Sequence, residues 1–322
     1  MPLLPWSPGT KPLMLAPMQG LTNDALRACF IANYRPDIVF TEFVRVQAQS
    51  RRRVARGDLD EIRAHDSATP LVVQLIGNSA MALAAAAELV QETGCCHLNL
   101  NLGCPYGRMT TGATGGELLR DIDALPELLR TIRKVVHGSF SIKSRAGYAD
   151  LQQIFELLPI YQECGADYLV LHPRTVLQRY NGTADHELIH AVAARATIPV
   201  IANGDINAVA TGQRLLADAN ITGLMLGRGA LADPLLFRRL RGELPESVAE
   251  SVRRRELGAF LTDLLPRYLV KFCGERQALM KMKDVLNFIP DTDLQRDLGK
   301  LKRATTLDRF TALLEKYLVR VE

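Results

Sequence analysis

Eight short apolar runs rich in β-branched residues recur along the first three quarters of the chain: PLMLAPM (12–18), DIVFTEF (37–43), PLVVQLIG (70–77), HLNLNLG (97–103), FSIKSRAG (140–147), DYLVLHPR (167–174), IPVIANGD (198–205) and GLMLGRG (223–229). Most are separated by segments of helical period, such as SAMALAAAAELVQETG and DLQQIFELLPIYQECG, both ending on glycine as helix C-termini often do. Strand alternating with helix is the signature of a parallel sheet, and eight repeats favour a closed (β/α)8 TIM barrel over an open doubly wound sheet. The pattern is weakest over residues 44–69, where the helix after the second strand is poorly marked.

After Glu243 the pattern changes and the remainder reads as helix, in SVAESVRRRELGAFLTDLLPRYLVKF, ALMKMKDVLNFI, DLGKLKRA and LDRFTALLEKYLVRVE. The predicted organisation is an α/β barrel over residues 1–243 followed by a smaller all-α helical bundle over 244–322. From Glu246 onward there are 15 Lys and Arg against 12 Asp and Glu, so most of the formal net charge of +4 sits in this tail. A solvated helix face is the default reading of such charges, and a nucleic-acid surface is the alternative.

A hydrophobic fraction of 48% with 23% charged residues excludes a disordered chain. The N-terminal MPLLPWSPGTKPLML is broken by prolines and has no charged start before a long apolar run. It reads as neither a secretion signal nor a membrane span, so a cytoplasmic protein is expected. The six cysteines, Cys29, Cys95, Cys96, Cys104, Cys164 and Cys273, show no C-x-x-C spacing. That argues against a zinc site and against a disulfide framework.

In such a barrel the C-terminal strand ends form the active face. In HLNLNLGCP, His97, Asn99 and Asn101 share one parity and Leu98, Leu100 and Leu102 the other. The leucines should meet the helices, and the asparagines should point inward, where an amide needs partners or a ligand. Gly103 permits a sharp turn, and Pro105 restricts Cys104. Cys104 could be a small buried hydrophobe, but its address at a strand end favours function.

A second group, Gln74, Lys143, Arg145 and His172, stands on other strand ends. An inward lysine is costly unless an anion meets it. The last two strands end in Asn203-Gly204-Asp205 and Gly227-Arg228-Gly229, where barrels often bind phosphate. A phosphate ligand that also uses an inward lysine is flavin mononucleotide, whose reduced ring carries negative charge.

APMQG, TEFVRV, VVQLIG, NLGCP with ATGGELL behind it, IKSR, VLHPRT, PVIANGDI and MLGRGAL, in that order, resemble the tRNA-dihydrouridine synthases through about the first 235 residues. The resemblance implies an FMN-binding barrel, a helical tRNA-binding tail, and reduction of a D-loop uridine of tRNA to 5,6-dihydrouridine with NADPH as reductant. It implies FMN contacts from Pro17, Met18, Gln19, Gln74, Lys143, His172, Asn203, Gly204, Asp205, Gly227 and Arg228. Cys104 falls on the family's proton-donating cysteine, and Asn101 and Arg145 fall where the family meets the uridine or its strand. TEFVRV, with Arg45, and ALMKMKDVLNF, with Lys281 and Lys283, resemble the branch that acts at position 16. Two departures stand out: Asn99 replaces the usual Asp, and YGRMTTG (106–112) lacks the lysine found in relatives.

The chemistry implied is addition of hydride at C6 and a proton at C5 of a uracil unstacked into the pocket. A thiol of ordinary pKa, about 8.5, is mostly protonated at neutral pH and can supply that proton. Two other readings compete: a flavin barrel acting on a free pyrimidine, as dihydroorotate dehydrogenases do, and a tRNA-binding barrel without catalysis. Neither a metal, a membrane nor a stable protein partner is implied, and a monomer on tRNA is expected.

Overall fold

The computed structural model describes residues 3–106, 113–290 and 294–320. Apart from Tyr106, the run YGRMTTG lies outside the described residues.

All eight expected runs form strands, joined by one short addition. They are β1 Leu13–Leu15, β2 Ile38–Phe40, β3 Val44–Arg45, β4 Leu71–Ile76, β5 His97–Leu102, β6 Ser139–Gly147, β7 Tyr168–Thr175, β8 Val200–Asn203 and β9 Ile221–Leu226. The sheet order is β2-β1-β9-β8-β7-β6-β5-β4-β3, and a β2–β4 pairing closes it into a barrel eight strands round. Every pairing is parallel, with β3 laid along the C-terminal end of β4. Strands buried on both faces explain why the runs read as nearly continuous apolar stretches.

Helices α2 Arg56–Arg63, α3 Ala80–Gln91, α4 Leu125–Val135, α5 Ile154–Glu163, α6 His186–Ala193 and α7 Val209–Ala217 follow successive strands. α3 starts where Ser79 accepts the Ala82 N–H at 3.3 Å, and the chain leaves it through Gly94 at φ 93°. α2 buries only Ile62, which is why residues 44–69 carried so weak a helical period. The last strand ends earlier than expected: Gly227 is the cap of α8 Arg228–Ala232, so Arg228 sits in a helix.

The chain packs into two compact units. The first is Met1–Met18, Asp37–Asp205 and Gln213–Leu226, which holds all nine strands. Its lower interior is apolar, with Met14, Ile38, Phe40, Val72, Tyr168, Val170, Ile201 and Met225 almost wholly buried. Leu4 and Trp6 pack against this layer, the Trp6 ring meeting Tyr168 edge-on at 4.9 Å.

The second unit is Gln19–Pro36, Ile206–Gly212 and Gly227–Glu322. It gathers α1 Asp24–Asn33, α8, α9 Leu236–Leu240, α10 Glu250–Lys271, α11 Glu275–Leu286, α12 Gln295–Lys302 and α13 Leu307–Leu314. Phe30 of α1 meets Phe237 at 6.0 Å and Phe260 at 5.8 Å, so contacts draw α1 and residues 227–243 to the tail, although chain order places them before residue 244. Among the described residues no strand follows Leu226, and no helix is long and apolar enough to cross a membrane.

Candidate active site

Above the apolar layer the inward positions of the same strands turn polar. Registers Gln74↔Asn99, Asn101↔Lys143 and Arg145↔His172 place these side chains on neighbouring inward positions. The expected parity of β5 holds: Leu98, Leu100 and Leu102 are buried on the opposite face.

The amides form one directed chain. Asn101 Nδ2 donates to Gln74 Oε1 at 2.7 Å, and Gln74 Nε2 donates to Asn99 Oδ1 at 2.8 Å. Asn99 Nδ2 then donates to Ser141 Oγ at 2.8 Å, and that hydroxyl donates to the Leu98 carbonyl at 3.2 Å. Gln74 and Asn99 are 0% and 1% exposed, so these bonds stand in place of water. Asn99 is the member that accepts from Gln74 and donates onward.

Asn101 has a second task that sequence did not suggest. Its Oδ1 accepts the backbone N–H of Gly103 at 3.0 Å and of Cys104 at 2.9 Å, shaping the turn that presents the thiol. Behind the turn, Gly116 N–H donates to the Cys104 carbonyl at 3.0 Å. A Cβ on Gly115, which has φ 61°, would fall 2.9 Å from Cys104 Cβ, and one on Gly116 would fall 3.0 Å from the Cys104 oxygen. The glycines of ATGGELL thus let that segment seat against the half-buried Cys104.

Lys143 is half-buried, and no acid pairs with it among the described residues. Burial first, then the neighbouring Arg145 charge, lowers its pKa from the ordinary 10.5 to about 8, with Cys104 acting the other way. Arg145, 1% exposed, donates from Nε to the Gly103 carbonyl at 2.9 Å and from Nη1 to Thr175 O at 2.8 Å and to Arg179 O. Its guanidinium also lies 5.3 Å from the Tyr180 ring centroid. It therefore ties the Cys104 turn to the segment after β7.

His172 is 7% exposed, and its Nε2 lies 3.1 Å from Nη1 of Arg174. Arg174 forms a two-pronged ion pair with Asp205, and Asp205 Oδ2 also accepts the Ala184 N–H at 2.9 Å. Asn203 donates to the Met225 carbonyl at 2.8 Å. Gly204 has φ 110°, and a Cβ there would lie 2.7 Å from His172 Cδ2. Arg174 went unremarked in the sequence, although it shares the inward parity of His172 within VLHPRT.

The other expected residues are more exposed or belong to the second unit. Pro17 and Met18 follow β1 and are half-buried. Arg45 ends β3, its guanidinium 5.4 Å from the Phe43 ring. In the second unit Gln19 is exposed, and Gly227 and Arg228 open α8. Lys281 donates to Gly20 O at 3.1 Å and pairs with Asp284 at 3.3 Å, and Lys283 is half-buried on the same helix, α11.

In the first unit the strand ends thus offer a cation with no acidic partner among the described residues, a chain of three buried amides, an imidazole facing a guanidinium, and a thiol on a braced turn. Such an arrangement can hold an anionic planar ligand and pass a proton from its rim.

A family model described as dihydrouridine synthase matches residues 14–317. A probable tRNA-dihydrouridine synthase of Rhodobacter capsulatus is 33% identical over 72% of this chain and 72% of its own length. A tRNA-dihydrouridine(16) synthase of Cupriavidus necator is 33% identical over 79% of this chain and 82% of its own. Among solved structures, a variant of NCR from Zymomonas mobilis superposes with TM-score 0.53 at 13% identity, over 73% of this chain and 87% of that one, a likeness of fold.

Proposed function

Because the chain belongs to the dihydrouridine synthase family, an oxidoreductase family acting on tRNA, we propose that it reduces the C5=C6 bond of one D-loop uridine, at position 16, using FMN and NADPH. The observation that carries the flavin reading is Lys143, a half-buried lysine whose charge meets no acid among the described residues. An anion beside it would relieve that cost.

The residues fit the cofactor. Gln74, Lys143, His172, Asn203, Gly204 and Asp205 would hold it, with Pro17 and Met18 at the end of β1. Gly204 lets the turn after β8 sit against the His172 ring, where a Cβ would fall 2.7 Å from His172 Cδ2. When bound, FMN supplies the hydride that NADPH replenishes. Lys143 stabilises negative charge. Asn101 shapes the turn that fixes the Cys104 thiol, which delivers the proton to uracil C5. We place the uridine beside Asn101 and Arg145, with Arg45 and the α11 residues Lys281 and Lys283 serving the RNA strand.

The barrel over residues 1–243 is the proposed catalytic domain, and residues 244–322 are the proposed tRNA-binding domain of a cytoplasmic enzyme acting without a stable protein partner. Phosphate contacts by the basic tail would make binding salt-sensitive. The test is the visible spectrum of the purified protein with and without NADPH, followed by base mapping of tRNA from cells with this enzyme as their sole source of dihydrouridine. A flavin spectrum bleached by NADPH and dihydrouridine at 16 are expected. A colourless protein that still binds tRNA would overturn catalysis, reduction of free pyrimidine in place of tRNA would overturn the substrate, and dihydrouridine at 20 would overturn the position.

A further inference from the structure

We propose that Arg174 is a positioning residue that holds His172 as the neutral Nδ1–H tautomer, so that His172 donates a hydrogen bond from Nδ1 and does not act as an acid at neutral pH. A guanidinium carries five N–H donors and no acceptor. With Nη1 of Arg174 lying 3.1 Å from His172 Nε2, that nitrogen must present its lone pair, and the single ring proton then resides on Nδ1. Protonating the ring would set N–H against N–H and charge against charge.

Arg174 is in no position to turn away. Its Nε donates to Asn181 O at 3.3 Å and its Nη2 to Gly182 O at 2.6 Å. Nη1 and Nη2 reach Asp205 at 3.2 and 2.5 Å, and the side chain is only 2% exposed. Asp205 is held in turn, at φ 49° and with the Ala184 N–H on its Oδ2. Gly204 lets the turn after β8 close on the ring, since a Cβ there would meet His172 Cδ2 at 2.7 Å.

The charged groups around the ring act in one direction. On β6, Arg145 is the register neighbour of His172, with Lys143 two residues earlier. Tyr180, after β7, stands 6.4 Å away ring to ring. Asp205 after β8, the carboxylate that Arg174 also touches, is engaged by it in an ion pair. A cation thus touches the ring from its own strand and another stands at the neighbouring register position, while Asp205, which would favour imidazolium, is paired with Arg174.

The tautomer stands on this geometry alone. Its use, an Nδ1–H donor to an acceptor atom of the flavin, rests on the flavin reading above. A neutral donor at this place also removes His172 as a rival to Cys104 for the proton delivered to the uracil.

Long-range proton–nitrogen NMR of histidine-labelled, FMN-loaded protein tests this, with the His172 signals identified by their loss in His172→Gln. The expected spectrum shows a protonated Nδ1 and an unprotonated Nε2, unchanged as pH falls to about 5.5, a full unit below the usual midpoint of about 6.5. In Arg174→Met the ring should titrate near about 6.5, and that midpoint should enter the pH profile of turnover. A wild-type Nε2–H form, or a wild-type ring that protonates near about 6.5, overturns the proposal, and either can be read even if Arg174→Met fails to fold. Protein that purifies without FMN but shows the Nδ1–H form upholds the tautomer and overturns only the flavin reading.

Discussion

The inner wall of the barrel carries two kinds of layer on the same strands. Val72 on β4, Tyr168 and Val170 on β7 and Ile201 on β8 lie in the apolar layer. Two positions further along, each strand turns polar, at Gln74, His172 and Asn203, and β6 continues from Ser141 to Lys143 and Arg145. Side chains are largely taken out of water in both layers, Lys143 less completely than the rest, but the consequence is opposite. Below, desolvation is favourable and supplies stability. Above, it is unfavourable: Lys143 has its pKa lowered to about 8 by it, and Gln74 and Asn99 need every bond of their chain. One strand thus holds fold and chemistry about two residues apart, and substitutions should separate them.

The largest separation is expected at Cys104. Cys104→Ala removes the proton donor but leaves the Asn101 bonds to the backbone of its turn, which need no side chain at residue 104. Dihydrouridine formation should fall by about 10²–10⁴-fold while FMN retention, reduction by NADPH and melting temperature stay near wild type. Full activity in this variant would remove Cys104 from the mechanism.

The opposite result is expected one layer down. Ile201→Ala removes a fully buried side chain from the apolar layer and should cost about 2–5 kcal/mol in denaturant unfolding, with turnover per folded molecule little changed below the transition. If turnover fell as steeply as stability, the two layers would be one cooperative site, contrary to the comparison.

Lys143→Met should move stability and function in contrary directions. Replacing a desolvated cation with an apolar side chain of similar length should raise the melting temperature of the flavin-free protein and weaken FMN binding. The pH dependence carries a sign. The folded protein releases the Lys143 proton at about 8, whereas the unfolded chain keeps it to the ordinary 10.5. Between those values the unfolded state binds more protons, so this lysine makes the flavin-free protein more stable as pH rises. FMN affinity should instead decline above about 8 as the favourable charge is lost, and the decline should vanish in Lys143→Met. Titrating apoprotein with FMN across that range measures both.

Much of this was legible because period-two parity is a strong signal: it placed Asn99 and Asn101 inward, and Lys143 with Arg145, before any coordinates. What parity does not carry is which atoms meet. Asn101 was read as an amide needing partners or a ligand, and only the structure names the partners: its oxygen holds the Cys104 turn and its nitrogen holds Gln74. Arg145 is engaged by carbonyls whose partners lie 30 and more residues away in sequence. Arg174 could have been found, since the parity that selected His172 also selects it. The segment 44–69 was illegible for a different reason: with Ile62 alone buried, α2 leaves almost no apolar period to detect. The gathering of α1 with α10 rests on aromatic contacts across more than 200 residues of chain, which a local pattern does not encode.

The smallest and sharpest probe of the upper layer is Asn99→Asp, which exchanges an amide for a carboxylate of nearly the same shape. The Gln74 bond survives, because a carboxylate oxygen accepts from Gln74 Nε2 as the amide oxygen does. The other arm reverses. Asn99 now donates to Ser141 Oγ, leaving that hydroxyl's proton for Leu98 O; the introduced carboxylate would accept from Ser141, and Leu98 O would lose this donor. Desolvating the new charge and leaving Leu98 O without this donor should lower stability by about 1–3 kcal/mol. The electrostatic effect should be easier to read, since a carboxylate at a position 1% exposed adds negative charge to the layer that holds Lys143. The lysine should hold its proton to higher pH, and the pH at which FMN affinity declines should move above the wild-type value of about 8. A midpoint that stays put or falls would show that Asn99 sets hydrogen-bond direction alone and has no electrostatic hold on Lys143.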